Sequence, residues 1–450
     1  MTSTSEKPII SQEVDFATST PAAPRALWSL TSGDQRFASR GIRQRYNNRR
    51  VRQPFVRLTP IDSAGDIAIV EIISLPSSRE QLLASRLTHA LEACKLSESW
   101  PVFVATRVGH SEIVDLAVEA LANAQQYAAS RYVGSPNRSL MPYTNALTKL
   151  RCDLNCPEKI HQDDTVITVA LLALVEHLLS PISPPFRSHL HGLYALLAHR
   201  PPSHPDHESD VIRAIFYDHW TFAFLKPCVQ GTASPFDRDD WCRMQPVAMD
   251  VLQPAVITLR RIANELFIRF PRLIAHIRDA RQRDPPELKY DAVTLAAKLV
   301  GLKDAEAENE LLHQVELERT SWAVDQEIIP VSFRFLRVAQ YEAAIYYWQA
   351  QLFLARICKR ANELVPEDEA LPVDEDEMRR MCKNIFMSFQ YTLGAGMPGI
   401  SAVQMAVVAC WGSLIDFPKL FEPKFNAETL RSWIVESINA MTQGWFVLTS

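Results

Sequence analysis

The chain has 450 residues, 47% of them hydrophobic, with 13 glycines and a formal net charge of −5. That length suits two or three domains with a sizeable core, and the apolar fraction is that of an ordinary globular protein. Average usage of about 7% would give roughly thirty glycines, so the deficit argues against phosphate-cradling loops and tight hairpins and in favour of helices.

The charge is unevenly placed. Arg36, Arg40, Arg43, Arg45, Arg49, Arg50, Arg52 and Arg57 fall in a stretch with no acidic residue, which leaves a net −13 on the rest of the chain. The eight cysteines form no CxxC pair, and the first sixteen residues are polar. The chain therefore reads as an intracellular protein with reduced, buried thiols and no secretory signal.

In chain order, residues 1–24 are rich in Ser, Thr and Pro and are expected to be disordered. The arginine arm follows, so that 1–57 forms a disordered tail and 58–450 a helical domain. Residues 66–73 alternate in a way that fits either a strand or a first buried helical turn. From there the apolar spacing predicts helices over 78–96, 111–132, 142–152, 164–179, 189–199, 210–225, 246–270, 273–281, 291–302, 305–325 and 332–364. The helix at 164–179 is apolar nearly all round, as a central helix should be. The one at 332–364 would be roughly 50 Å long. An acidic loop at 366–377 precedes helices at 378–393, 401–414 and 427–441. Residues 384–415 carry no charge and are long enough to span a bilayer. The Gly394-Ala-Gly-Met-Pro-Gly399 turn instead divides them into two buried helices, and no membrane segment is expected. The expected fold class is all-α, an irregular multi-helix bundle or array of helical hairpins with a disordered N-terminal arm.

Candidate chemistry is sparse. His189, His191, His199, His204, His207 and His219 invite a metal reading, but His189 and His191 are two apart and point to different faces of a helix. Cys152 and Cys156 have only His161 nearby and no fourth ligand at a suitable spacing. Asp163 or Asp164 fits a helix N-cap. Asp237, Asp239 and Asp240 precede Trp241 without the DDxxD spacing of an all-α metal-dependent enzyme. No catalytic residue, metal site or cofactor is assigned. The arm carries the one clear electrostatic signal. Arg40, Arg43, Arg45, Arg49, Arg50 and Arg52, interleaved with Tyr46 and near Phe37 and Phe55, suit weak phosphate contact and base stacking, or a nuclear import signal. A basic linker with no specific partner remains the plainest reading of them.

Three strings carry a resemblance: Leu147-Thr-Lys-Leu-Arg151, Asp163-Asp-Thr-Val-Ile-Thr-Val-Ala-Leu-Leu-Ala-Leu-Val-Glu176, and His189-Leu-His-Gly-Leu-Tyr-Ala-Leu-Leu-Ala-His-Arg200. Together with the aromatic run 341–354 and the Gly-Met-Pro turn, they resemble the helical regulatory domain of fungal binuclear zinc-cluster transcription factors. The likeness covers roughly residues 78–448. Members usually carry a six-cysteine zinc cluster that reads DNA. The first cysteine here is Cys94, so that activity is not carried over. The resemblance implies a nuclear regulator acting through protein partners, either a second copy or coregulators, with an effector pocket between helices and control of a metabolic gene cluster. A helical scaffold or adaptor unrelated to transcription is the alternative, and an all-α enzyme a third reading.

Overall fold

The computed structural model describes residues 78–96, 100–130, 137–179, 184–200, 209–247, 253–283, 286–320 and 328–448. They belong to one compact unit, Ser77–Ser450. The arginine arm, the 66–73 run, and the boundary at 57/58 lie outside the described residues.

Among the described residues the architecture is all-α apart from one small hairpin. Its helices are α1 (Arg79–Ala93), α2 (Glu112–Ala129), α3 (Asn137–Leu154), α4 (Asp163–Leu179), α5 (Pro184–His199), α6 (Asp210–Gln230), α7 (Asp239–Arg243), α8 (Pro254–Arg283), α9 (Pro286–Val300), α10 (Ala305–Leu312), α11 (Val338–Asn362), α12 (Glu375–Met387), α13 (Phe389–Asp416) and α14 (Ala427–Leu448). Short 3₁₀ turns occupy Trp100–Arg107 and Glu367–Glu369. Helices adjacent in sequence pack together in most cases, as in an array of hairpins, and α4, α8 and α11 also make contacts beyond their sequence neighbours.

Two hydrophobic cores result. The first collects residues of α1 to α7, among them Leu87, Val114, Ile167, Leu171, Ile215 and Trp241. The second lies around α11 and takes in α8 to α14, with Leu266, Phe270, Ile345, Trp348 and Ile385. The cores share two helices: α6 gives Phe216 to the first and Phe224 to the second, and Ile268 of α8 belongs to the first. Each fully buried Leu, Ile or Phe contributes about 1.5–3 kcal/mol, the main favourable term set against the entropy of ordering these helices. α4 is buried continuously from Thr165 to Val175, which matches its all-round apolar sequence. α11 is enclosed in the same way, with Tyr347 and Trp348 fully buried side by side.

Several expected boundaries move. The helix expected over 305–325 stops at Leu312, and the chain turns into a strand, β1 (Glu316–Arg319). β1 pairs antiparallel with β2 (Val331–Arg334), Leu317 standing opposite Phe333. Phe333 is buried in the second core, and a 2.8 Å hydroxyl contact joins Thr320 to Ser332. These long-range contacts prevail over the helical spacing of the local sequence. The long helix consequently starts at Val338 rather than 332, and its 25 residues span about 37 Å. The helices expected over 246–270 and 273–281 are a single helix, α8, that runs through Pro271. Pro271 costs one backbone bond, but the turn around it buries Phe267, Phe270 and Leu273 completely.

The charge-free run divides at the glycine turn, as expected, and also at Ser388. α12 ends at Met387, and α13 is two helical segments that meet at a break at Gly396 (φ 71°, ψ −147°). A Cβ there would meet the Lys95 side chain at 3.1 Å, so glycine supplies both the backbone angle and the room. The expected acidic loop is helical in its last residues. Asp374 caps α12 by accepting from the Glu377 amide at 3.0 Å. Among the described residues no helix is long and apolar enough to cross a membrane.

Candidate functional site

The strings that carry the family resemblance lie on α3, α4 and α5, and polar residues of the second and third meet in two clasps. Asp163 opens α4 and accepts 2.6 Å and 3.2 Å hydrogen bonds from Arg200, just past α5, and from Arg107. Arg107 also approaches Asp164 at 3.6 Å. Arg200 donates a further bond to the His161 carbonyl at 3.2 Å, and the Thr165 hydroxyl donates to the Lys159 carbonyl at 2.7 Å. Asp163 thus acts as a paired anion in the first turn, where the helix dipole also favours it.

At the other end of α4, the Tyr143 hydroxyl donates to Glu176 and lies 3.1 Å from His189 Nε2. The Tyr143 and His189 rings meet edge-on. Burial, and then the bond to Glu176, push the Tyr143 phenol upward, so it stays protonated. Burial lowers His189 against the pull of Glu176. The two clasps fix both ends of α4 against α3 and α5. Arg107 and Tyr143 had no sequence signal, because neither lies within the motif strings.

A second polar cluster crosses between the cores. Arg260 of α8 reaches Asp218 of α6 at 3.2 Å and Glu342 of α11 at 3.5 Å, with its guanidinium 5.9 Å from the Tyr346 ring. Asp218 also accepts from the Trp100 amide at 3.3 Å. Deeper in the second core, Glu308 accepts from Trp348 Nε1 at 2.6 Å and from both Arg380 nitrogens at 2.7 and 2.9 Å. Glu377 and Lys303 extend that network. Asp416, nearly buried, holds Arg356 and Arg360 at 2.7 and 2.8 Å.

The other sequence candidates remain apart. His204 and His207, and the six arm arginines Arg40, Arg43, Arg45, Arg49, Arg50 and Arg52, lie outside the described residues. The Cys156 thiol donates to Glu158 at 2.9 Å, and Cys152 is exposed. Asp237, Asp239 and Asp240 each pair with arginine, with Arg272, with Arg243 and Arg269, and with Arg238. Among the described residues no three His, Cys, Asp or Glu side chains gather where they could hold a metal. An open groove of about 420 Å³ lies beside the start of α14, floored by Trp433 and rimmed by Glu428 and Glu436. Compared with family models, curated proteins and solved structures, the chain gives no match.

Proposed function

We propose that the chain is a transcription regulator of fungal type that works through its helical body and protein partners. It resides in the nucleus and has no zinc-cluster DNA reader in the sequence at hand. The observation that carries this reading is the meeting of the motif residues. Asp163 bonds Arg200, and Glu176 joins His189 through Tyr143. The second and third of the strings that resemble the regulatory domain are thus tied together at both ends of α4.

In this reading α4 is a rigid strut, and its neighbours present the surfaces that partners contact. The arginine arm adds import or sequence-independent phosphate contact, whose affinity falls steeply with salt.

The test compares the full chain with a version lacking residues 1–57, by localisation in cells and by duplex-DNA binding across a salt series. The proposal expects nuclear residence of the full chain, and DNA binding that is weak, salt-sensitive and dependent on the arm. Cytosolic residence of the full chain favours the scaffold reading instead.

A further inference from the structure

The glycine turn of α13 meets the end of α1, and the backbone is unusual at both places. Lys95 follows α1 with φ 57°, and among the described residues it is the one non-glycine residue with a positive φ. The Leu96 amide bonds back to the Leu91 carbonyl at 2.7 Å and the Cys94 amide to the Ala90 carbonyl at 3.0 Å. They close the helix in the left-handed form that glycine usually supplies. A lysine Cβ strains that form. The turn delivers Leu96 and Trp100 to the first core. Glycine would do so with less strain, so the backbone gives no reason for lysine at this position.

The side chain gives one. Lys95 Cβ and Cδ lie 3.1 Å, and Cγ 3.3 Å, from where a Cβ on Gly396 would stand. The stem therefore lies over the break in α13. Beyond it the Nζ donates to the Gly394 carbonyl, 299 residues away in sequence. That carbonyl belongs to the last turn of the first helical segment of α13, where carbonyls lose their helical amide partners. A cation at a helix C-terminus is also favoured by the helix dipole.

We propose that Lys95 is a latch on a joint in α13. Its ammonium caps the first segment and its stem covers Gly396, so the two segments keep their angle while Lys95 is in place. Phe389 before the joint and Ala402 and Ala406 after it belong to the second core, whereas Leu87 and Leu91 of α1 belong to the first. The latch thus ties the end of α1 to the angle of α13, and a shift in one core is felt in the other. It operates whether or not the chain acts in transcription.

The test is amide hydrogen exchange, read peptide by peptide by mass spectrometry, on the full chain and on Lys95→Gly and Lys95→Met. Glycine removes the latch while relieving the backbone, and methionine keeps most of the stem but not the ammonium. The proposal expects amides of residues 389–405 to exchange about tenfold faster in Lys95→Gly and several-fold faster in Lys95→Met, with α8 unchanged. Exchange in α13 within about twofold of the unmodified chain in both variants overturns it, because lysine would then merely be tolerated at a glycine position. Uniform acceleration along the whole chain also overturns it, since a latch acts at its own joint. Should Lys95→Gly fail to fold, Lys95→Met decides the matter by the same criterion.

Discussion

Arg200 closes onto Asp163 at 2.6 Å across 37 residues of sequence, joining the far end of α5 to the first turn of α4. Both side chains are 16% exposed, so the pair is neither a surface contact nor fully desolvated. Removing Arg200 leaves Asp163 with Arg107 as its cation, and removing Asp163 takes the carboxylate from Arg200 but not its bond to the His161 carbonyl. Arg200→Leu should therefore destabilise the chain by about 1–3 kcal/mol, below the 3–5 kcal/mol seen when fully buried pairs are broken. Urea unfolding of Arg200→Leu, Asp163→Asn and the double variant measures it, and a coupling energy near zero would show that the clasp is idle.

Glu377 gives the protein an acid-sensitive contact. The Arg380 hydrogen bonds, aided by Lys303 and opposed by partial burial, hold its carboxyl at about 2 against an ordinary 4.5. A lowered folded-state value means its contribution is complete above pH 4.5 and disappears as pH falls from there toward 2. Because the group is partly solvated, we expect about 1–2 kcal/mol after screening rather than the full linkage value. Glu377→Gln should flatten the stability profile over that window while leaving its shape above pH 5 unchanged.

His177 acts in a separate window. Burial holds it at about 4 against 6.5, so from pH 6.5 down to 4 the unfolded chain binds a proton that the folded chain refuses. Stability falls with decreasing pH over that range, by about 2 kcal/mol for this residue. Burial lowers His189 and His219 too, and they steepen the same limb. Removing the imidazole in His177→Gln should reduce the slope between pH 6.5 and 4, read by denaturant midpoints at successive pH values.

Two helical glycines should respond in opposite ways to alanine. A Cβ at Gly412 would collide with the Arg356 guanidinium, and Arg356 is held in place by Asp416. Gly412→Ala must displace that guanidinium and should cost about 1–3 kcal/mol. At Gly192, inside α5, nothing lies within 4 Å. Gly192→Ala should stabilise by about 0.5–1 kcal/mol through helix propensity. Thermal unfolding of the two variants in parallel checks the contrast.

The helical content was legible because long apolar stripes repeat at helical spacing, and α4, with no polar face, announced its central place. The hairpin was not. Its strands are four residues each, and Leu311, Leu312, Val315 and Leu317 prolong an apolar pattern that reads as helix until Phe333 finds the second core. Pro271 looked like a boundary because proline usually is one, yet the burial of Phe267, Phe270 and Leu273 carries α8 through it. The motif residues Asp163, Glu176, His189 and Arg200 were visible as a pattern, whereas their partners Arg107 and Tyr143 were not. The cluster of Asp218, Arg260 and Glu342 left no trace in local sequence, since its members come from three helices and span more than a hundred residues.

The central claim is that the helical body regulates transcription through partners rather than by reading DNA. Its most direct test is to fuse the full chain to an unrelated sequence-specific DNA-binding domain and measure transcription from a reporter carrying that domain's site in a fungal host. The account predicts a several-fold change in reporter output that survives loss of the arginine arm and is reduced by Arg200→Leu. Unchanged output from a stably expressed nuclear fusion would contradict it.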